Sequence, residues 1–215
     1  MTSRIVVAGT DTNIGKTVFA AALVHAIGGV YWKPIQAGLD GETDSQTVAR
    51  LAGLPPDRVL NEAYRLRTPA SPHWAAERDG IEINEDHLAP PQQAAPLVIE
   101  LAGGLLVPIT RQRLQIDVVA AWHLPVIVCA ATRLGTINHT LLSIEALQRR
   151  DIAILGVAFI GDENADSQRT ICDFGGAQYL GRLPRIDPLT PERLHEEFAQ
   201  NFDVAACLGT GARGP

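Results

Sequence analysis

The sequence predicts an α/β fold, in which a mostly parallel, doubly wound sheet is covered by helices on both faces. Short apolar runs alternate along the chain with longer segments of helical periodicity. Continuously apolar strands are typical of parallel sheets that are buried on both sides. In addition, an apolar run near the N-terminus leads through a glycine-bounded loop directly into a helical pattern. We therefore expect three layers, with the sheet between two layers of helices.

The expected elements follow one another in a regular order. Apolar runs bounded by turn residues predict the strands, and segments of helical periodicity predict the helices. A final helix should begin at Thr190, because Pro191 stands at its first position and Glu192 follows. The predicted strands cover residues 5–8, 30–32, 96–100, 126–130, 154–160 and 178–180, and the other predicted helices cover residues 17–27, 45–52, 116–121, 138–148 and 166–174.

Size and composition limit the functions that the chain can have. The length of 215 residues predicts a single domain over residues 1–215, with a frayed end over about the last ten residues. The net charge is −6 and the chain has no basic run, which argues against nucleic-acid binding. No apolar stretch reaches the length of a membrane span, and no signal peptide precedes the first strand. Three well-separated cysteines predict reduced thiols, so we expect a cytoplasmic protein.

The loop after the first strand is the strongest functional signal in the chain. Residues 9–17 read GTDTNIGKT, with five residues between Gly9 and Gly15 where four are usual. A strand, a glycine-bounded loop, Gly-Lys-Thr and a helix in this order indicate the phosphate-binding loop of a P-loop NTPase fold. Lys16 would reach the β- and γ-phosphates of a nucleoside triphosphate, and Thr17 would bind Mg²⁺. The alternative is a chance Gly-Lys-Thr at a tight turn.

Polar residues at the carboxyl ends of the strands are further candidates, because ligands of parallel sheets bind there. Lys33 follows the second strand and would stabilise phosphoryl charge, unless it is a surface lysine. Asp44 is a candidate Mg²⁺ ligand or the N-cap of the next helix. Glu100 ends the third strand as a carboxylate near the metal. Gly135 begins a helix whose N-terminus favours anions, whereas a lone residue such as His139 is more typical of packing or capping.

These motifs occur in one order: GTDTNIGKT, KPIQAG at residues 33–38, Asp44, SPH at 71–73, ELAGG at 100–104, LPVIVCAATRLGTINH at 124–139, and LGRLP at 180–184. As a set they resemble the dethiobiotin synthetases, over residues 4–185. That family makes dethiobiotin from 7,8-diaminopelargonate, CO₂ and ATP with Mg²⁺. The resemblance implies that one amine captures CO₂ as a carbamate, which the γ-phosphate converts to a carbamic–phosphoric anhydride. The second amine then closes the ureido ring and phosphate leaves.

The resemblance also implies roles for individual residues. Lys16 and Lys33 are the expected catalytic residues, and Thr17, Asp44 and Glu100 are the expected Mg²⁺ ligands. The expected nucleotide-binding residues are Asn13, Ile14, Gly15, Lys16, Thr17, Val18, Asp44, Glu100, Leu101, Ala102, Gly103, Gly161, Leu183, Pro184 and Arg185. The expected substrate-binding residues are Thr12, Lys33, Ala37, Gly103, Gly135, Thr136, Ile137, Asn138 and His139. Because the family is homodimeric, residues 135–139 of the partner subunit are expected to hold the substrate carboxylate.

The chain departs from the family pattern in three places. Leu101 replaces a glycine and is expected to crowd the diamine or to change the approach of the backbone. Ala37 replaces serine or threonine, so one hydroxyl contact is missing. The asparagine expected to contact adenine after the fifth strand is replaced by residues 159–162. ATP is therefore the expected co-substrate, with other nucleoside triphosphates left open.

Two other functions would share parts of this pattern. A nucleotide-switch ATPase of the partition or metallocentre-maturation type would have the same fold. Many such proteins carry an additional lysine near the start of the loop, where this chain has Asp11. A small-molecule kinase would use arginines of a mobile lid, for which Arg111 and Arg113 are candidates. That function would leave Lys33 and residues 134–139 without a role.

Overall fold

The computed structural model describes residues 2–210. They contain one six-stranded parallel sheet and a separate parallel pair of strands. The strands are β1 (Arg4–Gly9), β2 (Val30–Trp32), β3 (Ile35–Ala37), β4 (Tyr64–Leu66), β5 (Leu97–Gly104), β6 (Val126–Ala131), β7 (Ile154–Ile160) and β8 (Tyr179–Leu183). The large sheet has the order β2-β5-β1-β6-β7-β8, and β3 pairs with β4.

Helices cover both faces of the large sheet. They are α1 (Lys16–Ala26), α2 (Asp44–Ala52), α3 (Pro72–Asp79), α4 (Gln115–Trp122), α5 (Thr136–Gln148), α6 (Ala165–Gly175), α7 (Pro191–Asn201) and α8 (Val204–Cys207), with 3₁₀ turns at Pro56–Arg58 and Glu85–Leu88. Side chains alternate along β1, so that Ile5 and Val7 enter one core and Val6 and Ala8 the other. The first core is closed by α1, α2, α7 and α8, and the second by α4, α5 and α6. The predicted three-layer α/β fold is confirmed.

The predicted strands and helices are all present, with unchanged bounds for β2 and β7 and shifted ends for most of the others. The largest shift concerns the third predicted strand, which was expected over residues 96–100. The observed strand β5 begins at Leu97 and continues to Gly104. Glu100 therefore lies inside a strand, and the prediction that it stands at the strand end was wrong.

Long-range pairing is the reason that β5 continues past Glu100. The register of β5 against β1 shifts after the pair Val7–Glu100, so that Gly9 is paired with Gly104. The buried side chain of Gln115, at the start of α4, donates from Nε2 to the Gly104 carbonyl at 3.1 Å. The irregular end of β5 is thus held by β1 and by the Gln115 side chain, and neither of these is adjacent to it in sequence.

The sequence patterns did not predict β3, β4 or α3. Each of these two strands has only three residues and, unlike the equally short but fully buried β2, includes a residue that is not buried, so neither forms a continuous apolar run. Ile35 and Leu66 of this pair share a third hydrophobic core with Ala75 and Ala76 of α3. This small layer lies beside the end of β2 and forms one wall of the site described below.

The C-terminal part of the described chain is held by hydrogen bonds. The helix α7 begins as predicted, with the Thr190 side chain accepting from Arg193 N. After α8, Thr210 N donates to the Ala205 carbonyl at 3.0 Å. The rest of the end that was expected to be frayed, residues 211–215, lies outside the described residues. None of the helices between residues 2 and 210 has the length and hydrophobicity that crossing a membrane requires.

Candidate active site

The segment from the end of β1 to the start of α1 leaves little room for a Cβ atom at Gly9 and Gly15, and only Gly15 also has a left-handed backbone. Gly15 has a φ of 98°, and a Cβ there would lie 2.9 Å from Cγ2 of Ile160. At Gly9 a Cβ would lie 2.8 Å from Lys16 Nζ, because the lysine side chain folds back along the loop. Lys16 Nζ donates to the Asp11 carbonyl at 2.7 Å. The loop therefore holds its cation close to its own backbone.

The Lys16 ammonium group is only partly solvated. Its side chain is buried, and burial lowers its pKa, as does the neighbouring charge of Lys33, while Glu100 raises it. A cation that has lost part of its water gains more than a solvated one from contact with an anion. The environment of Lys16 therefore favours a bound phosphate.

Three oxygen-bearing side chains meet at the first turn of α1. Thr17 Oγ1 lies 3.1 Å from Asp44 Oδ1 and 2.8 Å from Glu100 Oε1. A hydroxyl and two carboxylates are donors that suit Mg²⁺, which commonly takes few protein ligands and completes its shell with water and phosphate oxygens. Across residues 2–210 no group of three or more His, Cys, Asp or Glu side chains is arranged to hold a metal ion.

Lys33 lies between the two carboxylates of this cluster. Its Nζ is 2.6 Å from Asp44 Oδ2 and 3.2 Å from Glu100 Oε1, and 4% of its side chain is exposed. Burial by itself would lower the pKa of Lys33, but the charges of Glu100 and Asp44 outweigh it and raise the pKa. Lys33 is therefore a buried cation, and the alternative of a surface lysine was wrong.

Asp44 is positioned from two directions. The N-cap of α2 is Thr43, which forms a capping box with Gln46, so the alternative that Asp44 is the cap was wrong. Asp44 is instead the first helical residue, where a carboxylate is stabilised by the helix dipole. Its backbone N–H donates to Gln36 Oε1 at 3.2 Å. The cap and Gln36 together direct the Asp44 side chain toward Thr17.

Glu100 is buried, with 1% of its surface exposed, and both of its oxygens have partners. Oε1 accepts from Thr17 Oγ1 and Lys33 Nζ, and Oε2 accepts from the Tyr31 hydroxyl at 2.8 Å. Sequence reasoning missed Tyr31. Tyr31 lies in β2 two positions before Lys33, which directly follows that strand, and in extended backbone this spacing puts two side chains on one face. The two-residue period of extended backbone, counted back from Lys33, could have identified Tyr31 as a site residue.

A cleft of about 570 Å³, called here the central cleft, opens over these groups. It brings together most of the predicted phosphate, metal and substrate residues. Ala37 lies in its wall beside Gln36, and Ser71 lines it without having been assigned to the site in advance. The predicted residues that line it are Thr12, Asn13, Gly15, Lys16, Thr17, Lys33, Ala37, Asp44, Glu100, Ala102 and Gly103.

A second cleft of about 530 Å³, called the distal cleft, shares Asn13 and Gly15 with the central cleft. It contains the predicted residues Ile14, Gly161 and Arg185. Leu183 and Pro184 do not line it: the Leu183 side chain is buried in the first core, and its carbonyl accepts from Gly161 N. Asn164 lines the cleft two residues after the segment expected to contact the base, and its Oδ1 caps α6 by accepting from Ser167 N.

An apolar depression of about 490 Å³ adjoins the central cleft on its other side and shares Thr12, Ser71 and Val107 with it. About half of the Leu106 and Leu142 side chains, 54% and 56%, is exposed there. His139 lines the depression. Gly135, Thr136, Ile137 and Asn138 do not line the central cleft of their own chain, so one chain does not bring them to Lys33.

The side chains of Leu101 and Val18 also point away from the central cleft. Leu101 is 2% exposed and packs in the second core with Leu105 and Ile116, whereas the adjacent Glu100 side chain faces α1. Because neighbouring side chains of a strand point to opposite faces, the Leu101 side chain does not crowd the central cleft. The expectation of crowding was wrong, and a changed approach of the backbone stays a prediction. Val18 packs against the first core.

The arginines proposed for a kinase lid are engaged elsewhere. Arg111 pairs with Glu77 at 2.7 Å, and Arg113 pairs with Glu85 at 2.9 Å. Neither arginine lines the central cleft. The geometry therefore gives no support to a lid of this kind.

Known proteins resemble this chain over most of its length. A protein-family model described as an AAA domain matches residues 3–193. An ATP-dependent dethiobiotin synthetase BioD from Nitrobacter hamburgensis is 60% identical over 204 residues, which are 95% of this chain and 96% of that protein. The protein of the same name from Agrobacterium fabrum is also 60% identical, over 97% of this chain and 98% of its own. The chain belongs to the dethiobiotin synthetase family. The resemblance in the motifs is thereby confirmed.

Solved structures relate the dethiobiotin synthetase fold to other nucleotide-binding proteins. A ParA family ATPase from Chlorobium tepidum superposes with a TM-score of 0.55 at 10% identity, covering 99% of this chain and 93% of that one. A McdA–ATP complex from Cyanothece gives a TM-score of 0.52 at 15% identity, covering 100% and 99% of the two chains. At these identities the likeness concerns the fold alone, and it confirms the predicted P-loop NTPase-like fold.

Proposed function

We propose that this chain catalyses the reaction of its family, the ATP-dependent formation of dethiobiotin from 7,8-diaminopelargonate and CO₂, with release of ADP and phosphate. The enzyme is then a ligase that forms carbon–nitrogen bonds. The observation that carries the proposal is the meeting of Lys16, Thr17, Lys33, Asp44 and Glu100 in one cleft. Relatives of the same length that carry this name support it.

In this proposal the nucleotide spans two clefts across the phosphate loop. The triphosphate lies on residues 13–18, where backbone N–H groups and the start of α1 favour anions. The base lies in the distal cleft, near Gly161 and Arg185. Asn13 and Gly15 line both clefts, so one elongated ligand can occupy both.

Thr17, Asp44 and Glu100 hold Mg²⁺ in this proposal. The fit rests on their chemistry, since all three offer hard oxygen donors that already face one another. The ion, when bound, neutralises charge on the β- and γ-phosphates. Lys33 is fixed beside the same two carboxylates and adds a positive charge on the side of the central cleft.

The diamine occupies the central cleft between Lys33 and Gly103 in this proposal. One amine adds to CO₂ and loses a proton to give a carbamate, whose oxygen takes the γ-phosphoryl group of ATP. The second amine attacks the carbamoyl carbon, the ring closes and phosphate leaves. Lys16 and Lys33 stabilise the negative charge that develops. The reaction needs no protein nucleophile, and Cys129 is buried with its pKa raised by burial.

We also propose that two copies of the chain associate, with the substrate carboxylate bound near their interface by residues 135–139 of the other copy. The support is the exposure of Leu106 and Leu142 around a depression continuous with the central cleft. Light scattering should give the mass of a dimer, and Leu142→Glu should give monomers with a raised KM for the diamine. A cytoplasmic location and one domain over residues 1–215 are part of the same proposal.

The direct test is an assay with purified protein, 7,8-diaminopelargonate, bicarbonate and Mg-ATP. We expect phosphate release that depends on the diamine, together with dethiobiotin. Lys16→Ala should abolish both, because the phosphate loop loses its cation. Arg150→Ala, which removes a cation paired with Asp117 outside the clefts, is the matched control. Absence of diamine-dependent phosphate release from the unmodified protein would contradict the proposal.

The same assay with ATP, CTP, GTP and UTP determines which base the distal cleft prefers. A nucleotide-switch ATPase would instead hydrolyse ATP without the diamine and bind a protein partner differently in its ATP and ADP forms. The likeness to partition ATPases concerns the fold alone, and the full-length relatives do not favour this alternative.

A further inference from the structure

We infer that Tyr31 is a positioning residue of the proposed Mg²⁺ site, because its hydroxyl holds one oxygen of Glu100 and leaves the other directed at Thr17. The inference rests on the proposed role of Glu100 as a metal ligand. Tyr31 itself lines none of the clefts, so any effect on the metal passes through Glu100.

The two oxygens of Glu100 have separate environments. Oε2 accepts from the Tyr31 hydroxyl at 2.8 Å, in the interior of the first core. Oε1 accepts from Thr17 at 2.8 Å and from Lys33 at 3.2 Å, at the floor of the central cleft. The carboxylate therefore has one oxygen bound by the core and one oxygen available to the site.

The sheet fixes the position of the tyrosine relative to the glutamate. Tyr31 pairs with Val98 across β2 and β5, and Glu100 follows Val98 by two residues on the same face. Tyr31 is fully buried and Glu100 is 1% exposed. Because both residues lie on paired strands, the sheet fixes the separation of their backbones, and the hydrogen bond then sets the orientation of the Glu100 carboxylate.

The phenol remains a hydrogen-bond donor under ordinary conditions. Burial raises the pKa of Tyr31 well above its usual value, and the charge of Glu100 raises it further. The final torsion of a glutamate side chain has a broad, roughly two-fold profile, so a carboxylate without this donor can rotate. Removing the hydroxyl therefore releases Glu100 from a single orientation and leaves Oε2 without a partner among the described residues.

Partners that orient metal ligands typically change metal affinity by about 10- to 100-fold when they are removed. The test is the binding of Mn²⁺, followed by electron paramagnetic resonance, to protein saturated with the non-hydrolysable analogue adenylyl imidodiphosphate. In Tyr31→Phe, which keeps the ring, we expect the Mn²⁺ dissociation constant to rise about tenfold or more. The Mg²⁺ concentration for half-maximal dethiobiotin formation should rise with it, with a smaller change in the KM for the diamine.

Tyr64→Phe is the matched control. Tyr64 is also a buried strand tyrosine, but its hydroxyl bonds to the Asn84 backbone and to His87, away from the clefts. An equal Mn²⁺ affinity in Tyr31→Phe and the unmodified protein would overturn the inference, and so would an equal loss in both tyrosine variants.

A double variant separates positioning of Glu100 from general loosening of the core. In a Glu100→Gln background, Tyr31→Phe should change Mn²⁺ affinity less than about twofold, because the carboxylate that it orients is gone. A full effect in that background would contradict the inference. These Mn²⁺ titrations need no diamine. Failure of the dethiobiotin assay would therefore overturn the proposed function only, and the Mn²⁺ affinities of the variants would still decide whether Tyr31 positions Glu100.

Discussion

The Thr17 hydroxyl lies 2.8 Å from Glu100 Oε1, although the two residues are separated by 83 positions in the sequence. Thr17 belongs to the first turn of α1, and Glu100 lies within β5 on the sheet face that α1 covers. This contact brings the phosphate loop together with a carboxylate that is held rigidly by the sheet. The pair marks the point where nucleotide, metal and substrate are expected to meet.

Glu100→Gln should raise the Mg²⁺ concentration needed for half-maximal activity by at least about tenfold, because an amide replaces a charged ligand. The measurement is a Mg²⁺ titration of diamine-dependent phosphate release. Glu62→Gln is a matched control, since the Glu62 side chain is also buried but pairs with Ser45 and Arg65. An unchanged titration in Glu100→Gln would show that Glu100 is not a ligand.

Lys33→Met should lower kcat by at least about 10²-fold, the scale of a lost charge stabiliser in an active site. Methionine keeps much of the side-chain volume but leaves Asp44 and Glu100 without the cation between them. Thermal unfolding should therefore be recorded beside the kinetics, so that the rate is compared on folded protein. A change in nucleotide KM with kcat preserved would contradict the catalytic role.

Lys16 and Lys33 are the only lysines in the chain, so lysine-directed acetylation reports on the active site alone. We expect Lys16 to react first at pH 8, because burial lowers its pKa while Glu100 and Asp44 raise the pKa of Lys33 in spite of its burial. Mass spectrometry of the peptides measures the order. Mg-ATP should slow the reaction of Lys16, and faster labelling of Lys33 would contradict these charge states.

Leu101→Ala should lower the free energy of unfolding by about 2–5 kcal/mol, the usual cost of truncating a buried leucine. The KM for the diamine should change little, because the Leu101 side chain lies in the second core and not in the central cleft. Urea unfolding and steady-state kinetics measure the two effects. A large shift in KM with unchanged stability would place the side chain in the substrate site after all.

Stability should fall in acid partly through His195. Its ring stacks on His25 at 3.4 Å, its Nε2 bonds to the Leu51 carbonyl, and Glu192 is the nearby carboxylate. Burial, followed by the charge of His25, lowers the pKa of His195 from 6.5. The unfolded chain therefore takes up this proton at a higher pH than the folded chain, and the free energy of unfolding decreases as the pH falls below 6.5.

Urea unfolding at pH 7.5 and pH 5.5 tests this dependence. The unmodified protein should lose more stability between the two pH values than His195→Gln, in which the titrating ring is absent and an amide donor remains. Equal losses in both proteins would show that His195 does not contribute.

Several features were predictable because they depend on neighbouring residues. The alternation of apolar runs and helical periods predicted the three layers, and residues 9–17 predicted the phosphate loop, since a loop needs only its own glycines and its flanking strand and helix. Lys33 and Asp44 were chosen because polar residues that follow parallel strands gather at one edge, and the folded chain brings them together with Glu100 at that edge.

Other features arise only from contacts between distant segments. β5 continues past Glu100 because β1 and Gln115 pair with it, and no local pattern encodes that extension. Thr43, not Asp44, caps α2, and Leu101 enters the core while Glu100 faces the cleft. The contact of Tyr31 with Glu100 likewise requires the pairing of β2 with β5, since the two residues are 69 positions apart in the sequence. Local periodicity sets which segments fold into strands and helices, but strand register and packing set which side chains meet.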